Sequence, residues 1–483
     1  MTIRTAESCR HWAIVIGLTA LIAACAEQPA PAVDGDVAFV GVNVVDVEGG
    51  AIVPQQTVVI AGDRIASISP SADTSLADTV MVVNASGQFL APGIMDMHTH
   101  PVTNDDLALA LGHGVTTMRV MWGNPLTLGQ RASIEAGEIP GPRLITAGDL
   151  VDGEPPIWAQ YGLPANSYTD PEAMDAMVAE EKAAGYDFVK TYSRLTPEVF
   201  EAILSAGQRH GMEVSGHVPQ GVLLRDAIEG GMRTSEHFIG VLAEVLSDET
   251  LGTPDLSVFD PGALEIVLRV ARGEVDADTF VDPEKVEDFA SWAAEQEHWF
   301  VPTHDIMRNF TNNTQRSFPG ALRFMSAAEL GLFDDIESGS FFRLTPPQKT
   351  GESILYEIRT QVLKEFHEAG AKIMAGTDHG RLAPLLIVEE IKALHNAGFS
   401  TAAALRAATS EPARYLGMPG ELGVVAEGAI ADLILLDANP LDDLDALKRM
   451  QGVMARGAWY DRVTLDAMLD DLSARLTASG ALE

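Results

Sequence analysis

The chain has 483 residues, 46% of them hydrophobic, enough apolar material for a large folded domain with a smaller one beside it, and this excludes a disordered protein. Its 69 acidic against 32 basic residues give a formal net charge of −37, which repels phosphate backbones and argues against nucleic acid as a partner. The excess charge reads as a solubilising surface, and two cysteines are too few for a disulfide framework.

In chain order, Arg4 and Arg10 precede a short apolar run from Trp12 to Ala24, the layout of a secretory signal and too short to span a bilayer. Ile22-Ala23-Ala24-Cys25 resembles a bacterial lipobox, in which the cysteine becomes lipid-modified and forms the new N-terminus. An ordinary cleaved signal with an incidental cysteine is the alternative. On the lipobox reading residues 1–24 are removed, Cys25 carries lipidation and residues 25–36, rich in Ala and Pro, form a tether. The protein is then periplasmic or on the outer membrane and touches the bilayer only through its N-terminal lipid anchor.

Residues 37–90 hold short strand-like runs, VAFVGVNVVDV, TVVIAGDRIASIS and DTVMVVNASG, punctuated by Gly49-Gly50 and Gly62-Asp63. A similar texture returns over 419–463, so both chain ends are expected to pair in one β-sandwich, followed by a C-terminal helix over 464–483. Between them, residues 91–418 alternate apolar strand-like runs with longer helical patterns. The runs begin at Ile94, Val115, Arg143, Phe188, Glu213, Arg233, Phe300 and Lys372, and an eightfold repeat predicts an α/β fold, a closed (β/α)8 TIM barrel. The long connections 239–299 and 305–370 are expected to hold helices that roof the barrel mouth.

The first run, FLAPGIMDMHTHP, carries His98 and His100 two residues apart, so both project to one side of a strand and can reach one metal ion. Ala91-Pro92-Gly93 is a turn signal that starts the strand near Ile94 and leaves the histidines at its C-terminal end, where such barrels carry their chemistry. Lys190 sits inside the apolar FVKTY, where an ammonium is costly. Two solutions fit: it snorkels or pairs with a carboxylate, or its amine takes up carbon dioxide and becomes an anionic carbamate ligand. His217 in VSGHVP, His237 in TSEHF and Asp378 in AGTDHG end three further runs, and a barrel brings its last strand beside its first. Jointly these residues point to a metal site.

These residues resemble the amidohydrolase superfamily, in particular its binuclear-metal branch of prolidase-like and imidazolonepropionase-related proteins. APGIMDMHTHP, GVTT from Gly114, VKTY around Lys190, AGTDHG and the returning GVVAEGAIADLILLD from Gly423 carry the likeness. The resemblance implies that His98, His100 and Asp378 hold one divalent ion and His217 and His237 the other, with carboxylated Lys190 bridging them. Zinc is the expected metal, with manganese or cobalt able to occupy the same ligands. It also implies attack by a metal-bridging hydroxide on a carbonyl carbon, with Asp378 as base and then acid.

Tyr192 shares a face with Lys190; it either donates to the carbonyl oxygen or packs at the rim. His304 ends the seventh run, where contact with substrate and a structural hydrogen bond are both open. Arg194 could bind a carboxylate, but Thr196-Pro197 favours a helix start there, and His113 belongs at the opposite end of the barrel. Trp158, Tyr161, Met307, Phe310, Phe341 and Phe342 either line an apolar pocket or fill the cores of lid helices.

The leading reading is a hydrolase of small molecules, cleaving amide bonds of dipeptides or N-acyl amino acids; a homo-oligomer is compatible with it. A lactone, ester or organophosphate hydrolase would use the same site. A mononuclear deaminase or cyclic-amide hydrolase is a further alternative that Lys190 argues against. The non-enzyme alternative is a solute-binding lipoprotein that retains the barrel.

Overall fold

The computed structural model describes residues 32–163, 165–247, 268–312, 320–326 and 345–480. The expected signal segment, Cys25, Phe341, Phe342 and the side chains of Tyr161 and Phe310 lie outside the described residues. No helix among the described residues is long and apolar enough to cross a membrane.

The β-branched run of β1 (Val37–Asp46) pairs antiparallel with β2 (Ala51–Ala61), which turns at Gly62 into β3 (Arg64–Pro70). On its other edge β1 takes two short parallel partners in succession, β4 (Met81–Asn84) and then β5 (Phe89–Pro92). The expected tether over 25–36 ends earlier than its composition suggests. Val33 donates to Ser75 O and accepts from Ala77 N, and Asp36 N donates to Ile60 O, so residues 33–36 are already tied to the segment before β4 and to β2.

Pro92 ends β5, and Gly93 makes the turn into the barrel because a Cβ there would lie 2.2 Å from Thr116 Oγ1. The eight parallel strands follow: β6 (Ile94–Thr99), β7 (Val115–Val120), β8 (Arg143–Val151), β9 (Phe188–Thr191), β10 (Glu213–Gly216), β11 (Thr234–Glu236), β12 (Trp299–Val301) and β13 (Lys372–Ile373). Each neighbours the next in sequence. The first and last are joined as well: Met97 N donates to Ala375 O at 3.0 Å and Asp378 N to His98 O at 2.9 Å, closing the barrel. The eighth run is strand for only two residues, and the chain turns into the left-handed region at Asp378, whose φ is 56°.

The helix Pro197–His210 shows why the connections are helical. Thr196 caps it by accepting from Val199 N, Pro197 fixes the first turn, and Gly211 at φ 60° ends it. Its Val199, Phe200, Ile203 and Leu204 are buried in the layer between strands and helices. Burying each such side chain contributes roughly 1.5–3 kcal/mol. Among the described residues, the long connections hold the helices Val241–Val245, Pro283–Glu295, His304–Asn312 and Pro346–Ala369.

The chain then returns to its first sheet through β14 (Leu433–Leu436), antiparallel to β5, followed by β15 (Met450–Ala455) and β16 (Ala458–Asp461). Ile65 N donates to Ala429 O and Ala431 N to Asp63 O, so the segment just before β14 is tied to the start of β3 over a core of Phe39, Val58, Ile60, Leu90, Leu433 and Leu435. The C-terminal helix Arg462–Gly480 begins two residues before the expected boundary and packs Leu469 and Leu472 against Leu109 and Phe324.

Candidate metal centre

The C-terminal end of β6 presents His98 and His100 with ring centroids 5.3 Å apart, His98 1% and His100 27% exposed at the side chain. Asp378 arrives from the far end of the barrel circuit, drawn in by its backbone bond to His98 O. Its carboxylate lies 3.0 Å from His100 Nε2, 3.6 Å from His98 Nε2 and 3.7 Å from His237 Nε2. Ligand atoms of His98, His237 and Asp378 all lie within 4.8 Å of one another. The His217 ring stands 4.9 Å from that of His237, and Lys190 enters from β9.

Three imidazoles are anchored through Nδ1, so each turns Nε2 inward. His98 Nδ1 meets Glu236 Oε2 at 2.7 Å, His217 Nδ1 meets Ser193 Oγ at 2.9 Å, and His237 Nδ1 meets Thr303 Oγ1 at 2.7 Å. Burial, reinforced by the charge of nearby Lys190, pushes His98 down to about 4 and His237 to about 3, and lowers His217 well below its ordinary value. All three are therefore neutral near pH 7, the form that ligates metal. Burial alone would raise Asp378, but His98, His100 and His237 outweigh it and hold the carboxyl well below its usual range.

Lys190 is 1% exposed and its Nζ has no hydrogen-bond partner. Burial pushes its amine down to about 8. Neutral imidazoles, an ionised carboxylate and an unpartnered buried amine form a donor set that fits divalent cations, and a carbamate on Lys190 would remove the orphaned cation.

Tyr192 stacks on His217 with centroids 4.0 Å apart, and its hydroxyl accepts from Trp158 Nε1 at 3.1 Å. Trp158 is half-buried against Tyr192, Ile157 and Leu150, and Met307 is buried. His304 is turned toward the roof: its Nε2 meets Thr360 Oγ1 at 2.9 Å and its ring stacks on Tyr356. Arg194 gives Nη1 to Pro155 O, and His113, at the opposite end of the barrel, bonds Leu109 O through Nδ1. The cluster thus gathers His98, His100, Lys190, His217, His237, Asp378 and Tyr192, while His304, Arg194 and His113 make these other contacts.

Sequence reasoning missed Glu236 and Arg119. Strand alternation sends Glu236 away from the face of His237, yet both reach the interior because His237 and Phe238 have φ of 60° and 59°. Arg119 had a readable signal, a charge inside the apolar VTTMRV, the same kind that drew attention to Lys190.

Residues 349–460 match the family model described as amidohydrolase family. A structure assigned as a prolidase from Bifidobacterium longum superposes with a TM-score of 0.65 at 25% identity, covering 91% of this chain and 99% of that one. A bottromycin amidohydrolase superposes at 0.68 with 24% identity, over 91% of this chain and 90% of that one. An adenine deaminase of Rhizobium meliloti (strain 1021) is 38% identical over 81 residues, 16% of this chain and 14% of that protein. The matched stretch is thus about one seventh of that curated relative's length.

Proposed function

We propose, from the premise that the chain carries an amidohydrolase family domain whose structural neighbours are prolidase-like and other amidohydrolases, that it is a metal-dependent hydrolase of amide bonds in dipeptides or N-acyl amino acids. The observation that carries this reading is Lys190: a buried amine without a hydrogen-bond partner, near enough to His98, His217, His237 and Asp378 to interact with each electrostatically. The neutral amine can add carbon dioxide, forming an N–C bond and releasing one proton, and so become an anion suited to bridge two cations. His98, His100 and Asp378 would hold one ion, His217 and His237 the other. Two divalent ions, zinc by the character of the ligands, would polarise a carbonyl and lower the pKa of a water.

The chain's own groups supply the rest. Asp378 accepts the proton of the attacking water and delivers it to the departing nitrogen, without which an amide leaves poorly. Tyr192, fixed by its stacking on His217 and by Trp158, would steady charge growing on the carbonyl oxygen through its hydroxyl. The half-buried Trp158 supports an apolar wall beside that position.

A screen of dipeptides, N-acyl amino acids, lactones and phosphotriesters against zinc-loaded protein tests the reading. Turnover confined to lactones and phosphotriesters would overturn it. Lys190→Ala should abolish turnover, with partial recovery on adding a short carboxylic acid in place of the bridge. The local matches to adenine deaminases favour deamination as a second reading. Ammonia release from adenine, with one tightly held metal per chain, would support that alternative. We assign the N-terminal segment, on the same terms, to a lipid anchor at Cys25; mass spectrometry of the mature N-terminus tests it.

A further inference from the structure

We propose that Glu236 and Arg119 are positioning residues that fix the tautomer of His98 for metal binding, an inference that rests on the metal-centre reading above. Glu236 is 0% exposed and both its oxygens are engaged. Oε2 lies 2.7 Å from His98 Nδ1, while Oε1 accepts from Arg119 Nη1 at 3.1 Å and from Thr234 Oγ1 at 2.5 Å. Thr234 Oγ1 in turn accepts from Arg119 Nη2 at 2.7 Å.

The direction of every bond in this chain follows from its far end. A guanidinium has donors only, so Thr234 accepts a hydrogen bond from Arg119 and donates its own hydroxyl hydrogen to Glu236. An ionised carboxylate has acceptors only, so His98 Nδ1 must be the donor. The proton is thereby held on Nδ1, and the Nε2 lone pair faces the side of Asp378. Glu236 Oε1 takes two donors, Arg119 Nη1 and Thr234 Oγ1, the pattern an ionised carboxylate accepts.

Arg119 is itself 0% exposed and sits 4.7 Å from the Phe188 ring centroid and 5.2 Å from that of Tyr415, so its geometry is set from both sides. A buried ion pair is weak support for stability, since well-packed apolar residues often do as well. Aiming a ligand gives this one a different use. The left-handed step at His237 completes the arrangement: it lets consecutive residues serve the same site, Glu236 holding His98 from behind while His237 Nε2 faces Asp378.

Glu236→Gln breaks the logic while keeping the shape. The amide has one oxygen and one NH2 group, so its NH2 meets either the Arg119 and Thr234 donors or His98 Nδ1. In the second case Nδ1 becomes an acceptor and the proton moves to Nε2.

The test titrates Co2+ into metal-free wild-type, Glu236→Gln, Arg119→Met and Arg119→Lys proteins against a chromophoric chelator. It also records the visible Co2+ spectrum and the melting temperature of each metal-free form. Glu236→Gln and Arg119→Met should weaken Co2+ binding about 10–100-fold and change the spectrum, with Arg119→Lys recovering part of the affinity. Wild-type protein that fails to bind Co2+ would remove the metal-centre reading itself. Wild-type binding with Glu236→Gln within about twofold would overturn the positioning role alone, as would equal melting losses with unchanged affinity and spectrum. Should Glu236→Gln not fold, Thr234→Val keeps both charges and removes the hydroxyl between them. Affinity weakened about threefold or more supports the relay, and unchanged affinity overturns it.

Discussion

Replacing Lys190 by methionine removes an ammonium from the barrel interior while nearly preserving its length. Burial pushes this amine from 10.5 down to about 8, so keeping it protonated in the folded chain costs about 3 kcal/mol at neutral pH, at 1.4 kcal/mol per tenfold. Metal-free Lys190→Met, in buffer stripped of carbon dioxide, should therefore melt higher than metal-free wild type at pH 7, by on the order of 3 °C for a chain of this size. The sign of the pH dependence follows from linkage. Above pH 8 the folded wild-type amine is already neutral while the unfolded one still binds a proton, so wild-type stability rises with pH and the gap narrows between pH 8 and 10.5. Differential scanning calorimetry of both proteins at pH 7 and pH 10 measures the gap. A variant that melts lower than wild type at pH 7, or a gap that does not change with pH, would refute the claim that Lys190 is an unsatisfied cation in the metal-free protein.

Asp378→Asn keeps the size of the side chain but removes its proton-accepting oxygen, and should lower kcat about 10²–10⁴-fold in a steady-state amide hydrolysis assay while the circular dichroism stays unchanged. Gly376→Ala places a Cβ 2.8 Å from His98 Cβ and 2.9 Å from His98 N, so it should displace that ligand and weaken Co2+ binding, read by chelator competition. Burial pushes Glu390, which accepts from the backbone N of His304 and Asp305, up to about 8. Its folded value lies above its unfolded one, so the stability it carries is full below pH 4.5 and lost as pH rises through 8. Wild type should lose more melting temperature than Glu390→Gln between pH 6.5 and pH 8.5.

The barrel and most of its candidate ligands were legible because each rests on a local rule. His98 and His100 obey strand alternation, Gly93 marks a turn that Thr116 leaves no room to alter, and Lys190 is conspicuous in an apolar run. His217, His237 and Asp378 were legible as ends of predicted strands. What stayed hidden depends on contacts between segments far apart in sequence. Thr360, which meets His304, belongs to a helix 56 residues downstream, and nothing local to FVPTH announces it. The inner boundary of the tether was hidden for the same reason, since Val33 is held by residues 75–77, and composition carries no record of that pairing.

Strand alternation also explains where local reading fails, because the centre is assembled where alternation stops. Six non-glycine residues among those described have positive φ, and four of them, His237, Phe238, Thr303 and Asp378, follow β11, β12 or β13 at the barrel mouth. Each such residue costs on the order of 1 kcal/mol or more, and the conformation persists only where surrounding contacts over-determine it. Those contacts are the site's own: Thr303 anchors His237 Nδ1, Asp378 N is bonded to His98 O, and Glu236 is engaged at both oxygens. The left-handed steps let side chains that an extended strand would separate converge on one point, so the backbone geometry of the mouth and the side-chain geometry of the candidate centre are one constraint. A substitution that relaxes Thr303 or His237 toward extended backbone should therefore loosen ligands on neighbouring strands too, because each is held by a residue that another strand supplies.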